Sequence, residues 1–437
     1  MNYVPAAPDE TSRMLQRLGL SSVWALYADI PGELLLETPP DIGPGLSEME
    51  LTRTMRGIAG KNRVYEDVFM GAGAYRHFIP AAVDALSSRE EFVTAYTPYQ
   101  PEMSQGILQS IFEFQTMICE LTGMDAANAS VYDGATAAAE ACLMTQERNR
   151  NRVLVCGSVS PQTMQTIKTY LIPAGMEIEA VKTLDGAADL YDLATKLDDR
   201  TAGVLVASPN YFGIIEDVEF IAERAHQAGA KLIVSMNPMA CGLLKSPGSL
   251  GADIAVGEGQ PLGIPLSFGG PYLGFMACRE KLTRKLPGRI VGQTQDAQGR
   301  RAFVLTLQAR EQHIRREKAG SNICSNQAWC ALRSAIYMSL MGPQGLKETA
   351  QQCFANAHYL QKCLEDIGYG RVHGKEFFHE FVTECPGDYS RIQSLLDKES
   401  ILGGLPLGDG TVLWCATELT GKAQIDKLIR VMKEVTA

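Results

Sequence analysis

Through the middle of the chain, short apolar runs alternate with stretches whose apolar positions repeat at helical spacing. Residues 152–156, 203–207, 231–235 and 253–256, with Val, Ile and Leu, and the apolar 274–278 (Gly-Phe-Met-Ala-Cys) read as short runs of the kind that strands buried on both faces show. Between several of them, 161–170, 190–197 and 218–228 carry the period of an amphipathic helix, the last with Phe220, Ile221 and Ala225 on one face. Strand, helix, strand at this spacing predicts a parallel sheet, because a parallel pair needs a long crossover and a helix supplies it. Residues 61–310 therefore read as a large three-layer α/β domain.

The flanks read differently. In residues 1–60, Pro5, Pro8, Pro31, Pro39, Pro40 and Pro44 separate short amphipathic pieces such as 11–20, with apolar Met14, Leu15, Leu18 and Leu20. This is the pattern of an N-terminal arm that packs on something larger. After 310 come two helical stretches, 327–340 and 345–367, then strand-like 377–383 and 411–415 and a closing helix over 421–435. They predict a smaller C-terminal α/β domain over 311–437. No internal repeat or low-complexity tract interrupts the plan.

Composition narrows the partners. The 437 residues are 46% hydrophobic and 21% charged, which is globular and not disordered. Forty basic against fifty acidic residues leave a net charge of −10, a field that repels phosphate backbones and anionic membranes, so neither nucleic acid nor membrane is an expected partner. No window reaches the ~18 apolar residues of a membrane span, and residues 1–10 lack the blocks of a signal peptide. A cytoplasmic location is expected. The 11 cysteines include no C-x-x-C pair and sit mostly in apolar runs, where a thiol packs as a small hydrophobe. The six histidines offer no i,i+4 pair beside a carboxylate, so no metal centre is expected.

Four stretches could carry chemistry. Asp133-Gly134 turns into a strong helix former, and the free N–H groups of that first turn, at Gly134, Ala135 and Thr136, with the Thr136 hydroxyl, make a cup suited to a phosphate. An ordinary N-cap on a buried Ala-rich helix uses the same residues. A second patch joins 69–80, with Arg76 and His77, to 94–106, with Tyr96, Tyr99, Gln100, Glu102, Ser104 and Gln105. Aromatic faces beside polar tips on a Pro- and Gly-stiffened backbone suit a planar ligand or a partner surface, or else a connection in which Tyr bridges core and surface. The third is basic, Arg300-Arg301 and Arg310-Glu-Gln-His-Ile-Arg-Arg-Glu-Lys318 followed by 321–326. It reads as a solvated helix face with i,i+4 ion pairs, or as a carboxylate or phosphate clamp. In the fourth, Gly257-x-Gly259-x-x-x-Gly263 misses the spacing of a dinucleotide loop and lies late in the sheet, which argues against a nicotinamide site.

Taken together, 69–80, Tyr96-Thr-Pro-Tyr-Gln-Pro-Glu-Met-Ser-Gln-Gly106, Tyr132-Asp-Gly-Ala-Thr136, Gly257-Glu-Gly-Gln-Pro-Leu-Gly263 and residues 310–318 resemble the P-protein of the glycine cleavage system. The likeness is to its N-terminal half, which many bacteria make as a separate subunit 1, and it covers nearly the whole chain in order. It implies the pyridoxal-phosphate-dependent transferase fold of the aspartate-aminotransferase type (fold type I), with a three-layer large domain and a smaller C-terminal α/β domain. It further implies a two-subunit enzyme that decarboxylates glycine, the cofactor ring taking up the electron pair as CO2 leaves, and passes the aminomethyl group to the lipoyl arm of the H-protein.

Two departures from that fold matter. Its cofactor lysine would follow the strand at 253–256, yet between Lys245 and Lys281 there is no lysine, and Gln260-Pro261-Leu262 stands where the partner half of the family reads His-Lys-Thr. Where the fold usually places an Asp for the pyridine nitrogen, after 231–234, the chain has Ser235-Met-Asn237, and neutral Asn does not hold a ring protonated. The resemblance thus implies a subunit with the fold but no self-sufficient centre. Pyridoxal phosphate is expected on a lysine of the homologous second subunit, in a heterotetramer of two copies each. Arg76, His77, Tyr96, Tyr99, Gln100, Glu102, Ser104 and Gln105 are expected to complete that partner's site, and Gly134, Ala135 and Thr136 to keep a vestigial phosphate cup. The competing readings are a non-catalytic scaffold that stabilises the partner and docks the lipoyl protein, and a self-sufficient lyase with a Cys nucleophile.

Overall fold

The computed structural model describes residues 6–36, 38, 40–323 and 325–436. They form two compact units, Met1–Val64 and Tyr65–Ala437. In the first, helix Pro8–Leu18 covers the expected amphipathic piece and ends at Gly19 in the left-handed conformation (φ 69°). Helix Glu48–Ala59 starts with a capping box, in which Ser47 Oγ accepts from Glu50 N–H at 3.3 Å and Glu50 Oε2 accepts from Ser47 N–H at 3.0 Å. Neither helix buries a residue. Met14, Leu18, Trp24, Met49 and Ile58 are all exposed, so this arm has apolar faces to give to another surface.

The second unit is built on a sheet of seven described strands: β1 (Ala126–Ala127), β2 (Arg152–Cys156), β3 (Glu177–Val181), β4 (Thr201–Ala207), β5 (Lys231–Met236), β6 (Ile254–Glu258) and β7 (Gly274–Cys278). Their order is β1-β7-β6-β5-β4-β2-β3. Strands β2 to β6 are parallel, with helices Pro161–Leu171, Leu190–Lys196 and Val218–Gln227 between them, whereas β7 runs antiparallel to both β6 and β1. The period of two sorts their side chains between two cores. Leu154, Val204, Val206, Leu232 and Val234 face one, and Val153, Val155, Leu205 and Ile233 the other. All five expected apolar runs are strands of this sheet. The two-residue β1 and the long helix Gln105–Thr122 before it have no counterpart in the periodicity reading.

The two helical stretches after 310 form one helix, Ala328–Glu365, broken at Gly342 (φ 60°, ψ −179°) just before Pro343. Pro343 brings no N–H and obstructs the preceding turn, so the break falls there. Cys330, Ala331, Ala335 and Tyr337 of the first half belong to the sheet core. Ala357, Leu360 and Leu364 of the second half join Phe377, Phe381 and Trp414 in a separate core. The change of core therefore falls inside this helix and not at 310, because both halves are needed to cover two different sheets. The smaller sheet is antiparallel, Glu380–Glu384 and Leu405–Pro406 flanking Thr411–Cys415.

Gly213 couples the two sheets. Its φ is 84° and an added Cβ would collide with the backbone carbonyl of Glu380, while its own carbonyl accepts from Phe378 N–H at 3.0 Å. Gly213→Ala is expected to cost more than about 3 kcal/mol. Gly368→Ala, also at positive φ (91°) but with nothing within 4 Å of the new Cβ, is expected to cost about 1 kcal/mol. Urea midpoints of the two variants check the ranking.

Candidate functional site

Open α/β sheets bind ligands beyond the carboxyl ends of their parallel strands. At those ends helix Gly134–Thr145 begins, with Asp133 as N-cap accepting from Thr136 N–H at 2.7 Å. Glu258, the last residue of β6, sends Oε2 to Gly134 N–H at 3.0 Å. Its Oε1 takes Gln260 N–H at 3.0 Å and Leu273 N–H at 2.8 Å. Only glycine fits at 134, since a Cβ there would stand 2.8 Å from the Glu258 backbone nitrogen. Burial pushes the Glu258 carboxyl up to about 7, against three N–H donors that pull it down. The chain's own Glu258 thus takes the Gly134 N–H and Asp133 that of Thr136, so two N–H groups of the expected phosphate cup of Gly134, Ala135 and Thr136 are already spent inside the chain.

The next turn is closed in the same way. Gln260 is buried and uses its whole amide: Oε1 accepts from Tyr75 N–H at 2.8 Å, and Nε2 donates to the carbonyls of Tyr75 and Ile264, each at 2.8 Å. The Tyr75 hydroxyl donates to Glu380 Oε2 at 2.7 Å, and Ala72 N–H to Glu380 Oε1 at 2.6 Å. Asn237 Oδ1 accepts from Met239 N–H, while its Nδ2 lies 3.2 Å from His379 Nε2. Burial lowers His379 to about 3, so that ring is neutral. Its centroid lies 4.6 Å from that of Tyr75. These residues do not fit pyridoxal phosphate: Gln260-Pro261-Leu262 brings no amine for a Schiff base, the Glu258 carboxylate occupies the Gly134 N–H, and Asn237 offers an amide bound to a neutral imidazole and not an acid for the ring nitrogen.

Outside this closed cleft, the 94–106 patch and the 310–326 patch come together. Tyr99 Oη accepts from Arg289 Nη2 at 3.4 Å, with the guanidinium 5.6 Å from the ring centroid, and the His313 ring lies edge-on at 6.5 Å. Arg289 Nη1 donates to Asn326 Oδ1 at 3.3 Å, and Asn326 Nδ2 to Ser130 Oγ at 2.9 Å. Tyr96 is 89% exposed, its hydroxyl 3.5 Å from Ser325 Oγ. Gln100 and Glu102 are exposed beside it.

The other expected contributors are held by bonds within the chain. Gln105 grips Phe303, N–H to Oε1 at 2.9 Å and Nε2 to the carbonyl at 2.8 Å. Ser104 precedes helix Gln105–Thr122 and makes no side-chain cap bond. Arg76 donates to the Glu66 carbonyl at 2.7 Å. His77 is buried with Nδ1 2.8 Å from Glu418 Oε2, an oxygen that also accepts from Cys353 Sγ at 3.4 Å, while Glu418 Oε1 accepts from Phe78 N–H at 2.6 Å. His77, Cys353 and Glu418 have their ligating atoms within 4.8 Å of one another, a meeting of three distant segments that no spacing rule shows, and they spend those atoms on each other. Arg289, His379, Glu380 and Glu418 lie in no motif of the sequence, and Glu258, although inside the 257–263 motif, is an acid ending an apolar run before glycine with no role that its spacing assigns.

The cysteine reading finds no support among the described residues. The described thiols are unpaired, and burial pushes Cys119 and Cys330 up to about 11 and Cys241 and Cys278 to about 12, the reverse of an activated thiolate. Cys324 lies outside the described residues.

The strand order, the reversed β7 and the helix N-terminus at the strand ends define the class: the fold of pyridoxal-phosphate-dependent transferases. The sphingosine-1-phosphate lyase of Burkholderia pseudomallei superposes with a TM-score of 0.65 over 94% of each chain at 15% identity. The aspartate aminotransferase of Thermus thermophilus gives 0.61 over 85% of this chain and 99% of its own at 16% identity. Those two share the fold. A crystal structure of glycine decarboxylase (P-protein) of the glycine cleavage system, in inhibitor-bound form, matches over 100% of both chains with a TM-score of 0.91 and 41% identity. The sequence pattern of the glycine cleavage system P-protein matches residues 1–432. Probable glycine dehydrogenase (decarboxylating) subunit 1 of Desulforamulus reducens is 52% identical over 98% of both chains, and that of Desulfitobacterium hafniense 50% over 100% of both. The chain belongs to the glycine cleavage system P-protein family.

The closed cleft has a pH signature. Burial raises Glu380 from the ordinary 4.5 to about 7, so the folded state holds a proton that the unfolded state has lost. Stability from this site is full below about 4.5 and falls as pH rises through 7. Glu380→Gln keeps an acceptor for Ala72 N–H and is expected to flatten this decline, by a few kcal/mol at most between pH 5 and 8. Denaturant titrations of both proteins across that range check it.

Proposed function

We propose that this chain is subunit 1 of a two-subunit glycine decarboxylase, with the pyridoxal phosphate held by a lysine of the homologous second subunit. The observation that carries the reading is the carboxylate of Glu258 seated in the phosphate cup beside Gln260-Pro261. The relatives named subunit 1 imply a second subunit. The reading adds a heterotetramer of two copies each, glycine as substrate, the lipoylated H-protein as acceptor and a cytoplasmic location.

In this arrangement the residues of the open loop act and those bonded within the chain support. Tyr96, Tyr99, Gln100 and Glu102 present hydroxyls, an amide and a carboxylate on a proline-stiffened loop, anchored from behind by Arg289 and Asn326. Such a loop positions groups against a centre on a neighbouring chain without needing to order on arrival. Gln105, Arg76 and His77 hold the two ends of the patch in place. The exposed apolar faces of the arm fit a chain that is complete only with its partner.

Two experiments test this. After incubation with pyridoxal phosphate and gel filtration, the isolated chain is expected to show no internal-aldimine band; a stoichiometric band trapped by borohydride on one of its peptides would sink the proposal. In the assembled complex, Tyr99→Phe and Glu102→Gln are expected to lower kcat and kcat/KM for glycine decarboxylation together, by ~10²-fold, with the partner's cofactor still bound. Near-normal turnover of both variants in intact complexes would transfer the chain to the scaffold role.

A further inference from the structure

The basic stretch 310–318 does not form the solvated helix that its alternating charges suggest. It breaks into Gln308–Arg310, Gln312–Arg315 and Arg316–Lys318, with Arg316 at φ 54°. One short turn joins Glu311 to Arg315 through the backbone, Arg315 N–H donating to the Glu311 carbonyl at 2.9 Å, but no ion pair joins their side chains among the described residues; Glu311 lies instead 3.6 Å from His313. The cations turn to a cavity of about 840 Å³ on the flank of helix Gly134–Thr145.

Five cations line it: Arg284, Lys285, Arg310, Arg315 and Lys318. Two of them are committed to backbone, Lys285 Nζ to the carbonyls of Met144 and Gln146 at 3.1 and 2.9 Å, and Arg310 Nη2 to that of Gly288 at 2.6 Å. Carbonyls leave a positive charge uncancelled, and Arg310 Nε is buried with no hydrogen-bond partner. No carboxylate pairs with Arg284, Arg315 or Lys318 among the described residues. Opposing them are Glu311 and Glu140. Glu140 accepts from Ser321 Oγ at 2.8 Å, and burial raises it to about 7, which leaves it less than fully charged at neutral pH. Tyr132 and Tyr170 supply aromatic wall. In a chain of net charge −10, a concave site with this excess of positive charge selects an anion, and guanidinium forks match carboxylate and phosphate oxygens in pairs.

We propose that this cavity binds a small molecule bearing two or more phosphate or carboxylate groups. Neither Glu258 nor Gly134 lines it, and it does not depend on where the pyridoxal phosphate resides. The volume suits a metabolite-sized ligand, and cations on both the 284–285 and the 310–318 segments suit a ligand with more than one anionic group.

Isothermal titration of the purified full chain with inorganic pyrophosphate and, separately, with citrate, at ionic strength matched by sodium chloride, tests this. Saturable one-to-one binding of at least one probe is expected, the tighter of the two naming phosphate or carboxylate as the preferred group. Arg315→Ala with Lys318→Ala, and independently Arg284→Ala, are expected to weaken it at least tenfold. Arg300→Ala, at an exposed residue paired with Asp296, is expected to leave it unchanged. No saturable heat with either probe, or equal affinity in the double variant with its circular dichroism intact, would overturn the proposal. Binding that disappears when the second subunit is added would also overturn it, and would give the cavity to an acidic segment of that subunit.

Discussion

The carboxylate of Glu258 on the N–H groups of Gly134, Gln260 and Leu273 is the contact on which the arrangement around the cleft depends. One side chain ties together the helix that follows β1, the last parallel strand, the turn after it and the entry to the antiparallel β7. A helix N-terminus carries unsatisfied N–H groups and a partial positive charge, and a bound phosphate is one way to meet them. Here the protein meets them internally. That choice spends the Gly134 N–H inside the chain and ties the strand ends together without an anion from outside.

Closure of the cleft and openness of the rim are two sides of one design. Gln260, Tyr75, Asn237 and Glu380 spend their polar atoms on each other, on His379 Nε2 or on nearby backbone, while His379 Nδ1 is buried with no partner. Tyr96, Gln100 and Glu102 spend few or none. A chain whose interior chemistry is satisfied and whose exposed loop is rich in hydroxyl, amide and carboxylate groups is suited to act on a neighbour's centre. The same logic separates Tyr99 from His77: both belong to dense motifs, yet one lies half-exposed over Arg289 and the other is sealed against Glu418.

Three glutamates, Glu140, Glu258 and Glu380, are each raised to about 7 by burial. They stand in different surroundings: the flank of the basic cavity, the helix cup and the junction with the smaller sheet. Each has hydrogen-bond donors, but none has a cation in its immediate bonds, so desolvation outweighs the donors. The fold is accordingly most comfortable with these groups protonated.

Much of the architecture was legible from local pattern. Four of the five apolar runs are parallel strands, as their helical spacing predicts, while the fifth, 274–278, runs antiparallel and its direction left no mark in the periods of two and 3.6. The absence of lysine between 245 and 281, and Gly342-Pro343 as the break in the long helix, can likewise be read directly. The Asp133-Gly134 turn shows that an anion cup exists, but its occupant comes from Glu258, 124 positions away. Tyr99 meets Arg289 at a separation of 190, and His77 meets Glu418 at 341. Sequence alone told which residues are able to donate, accept or carry charge. Only the tertiary structure decided which of them face solvent and which are spent on one another, because contacts between distant segments follow from how the layers pack and leave no period in the chain.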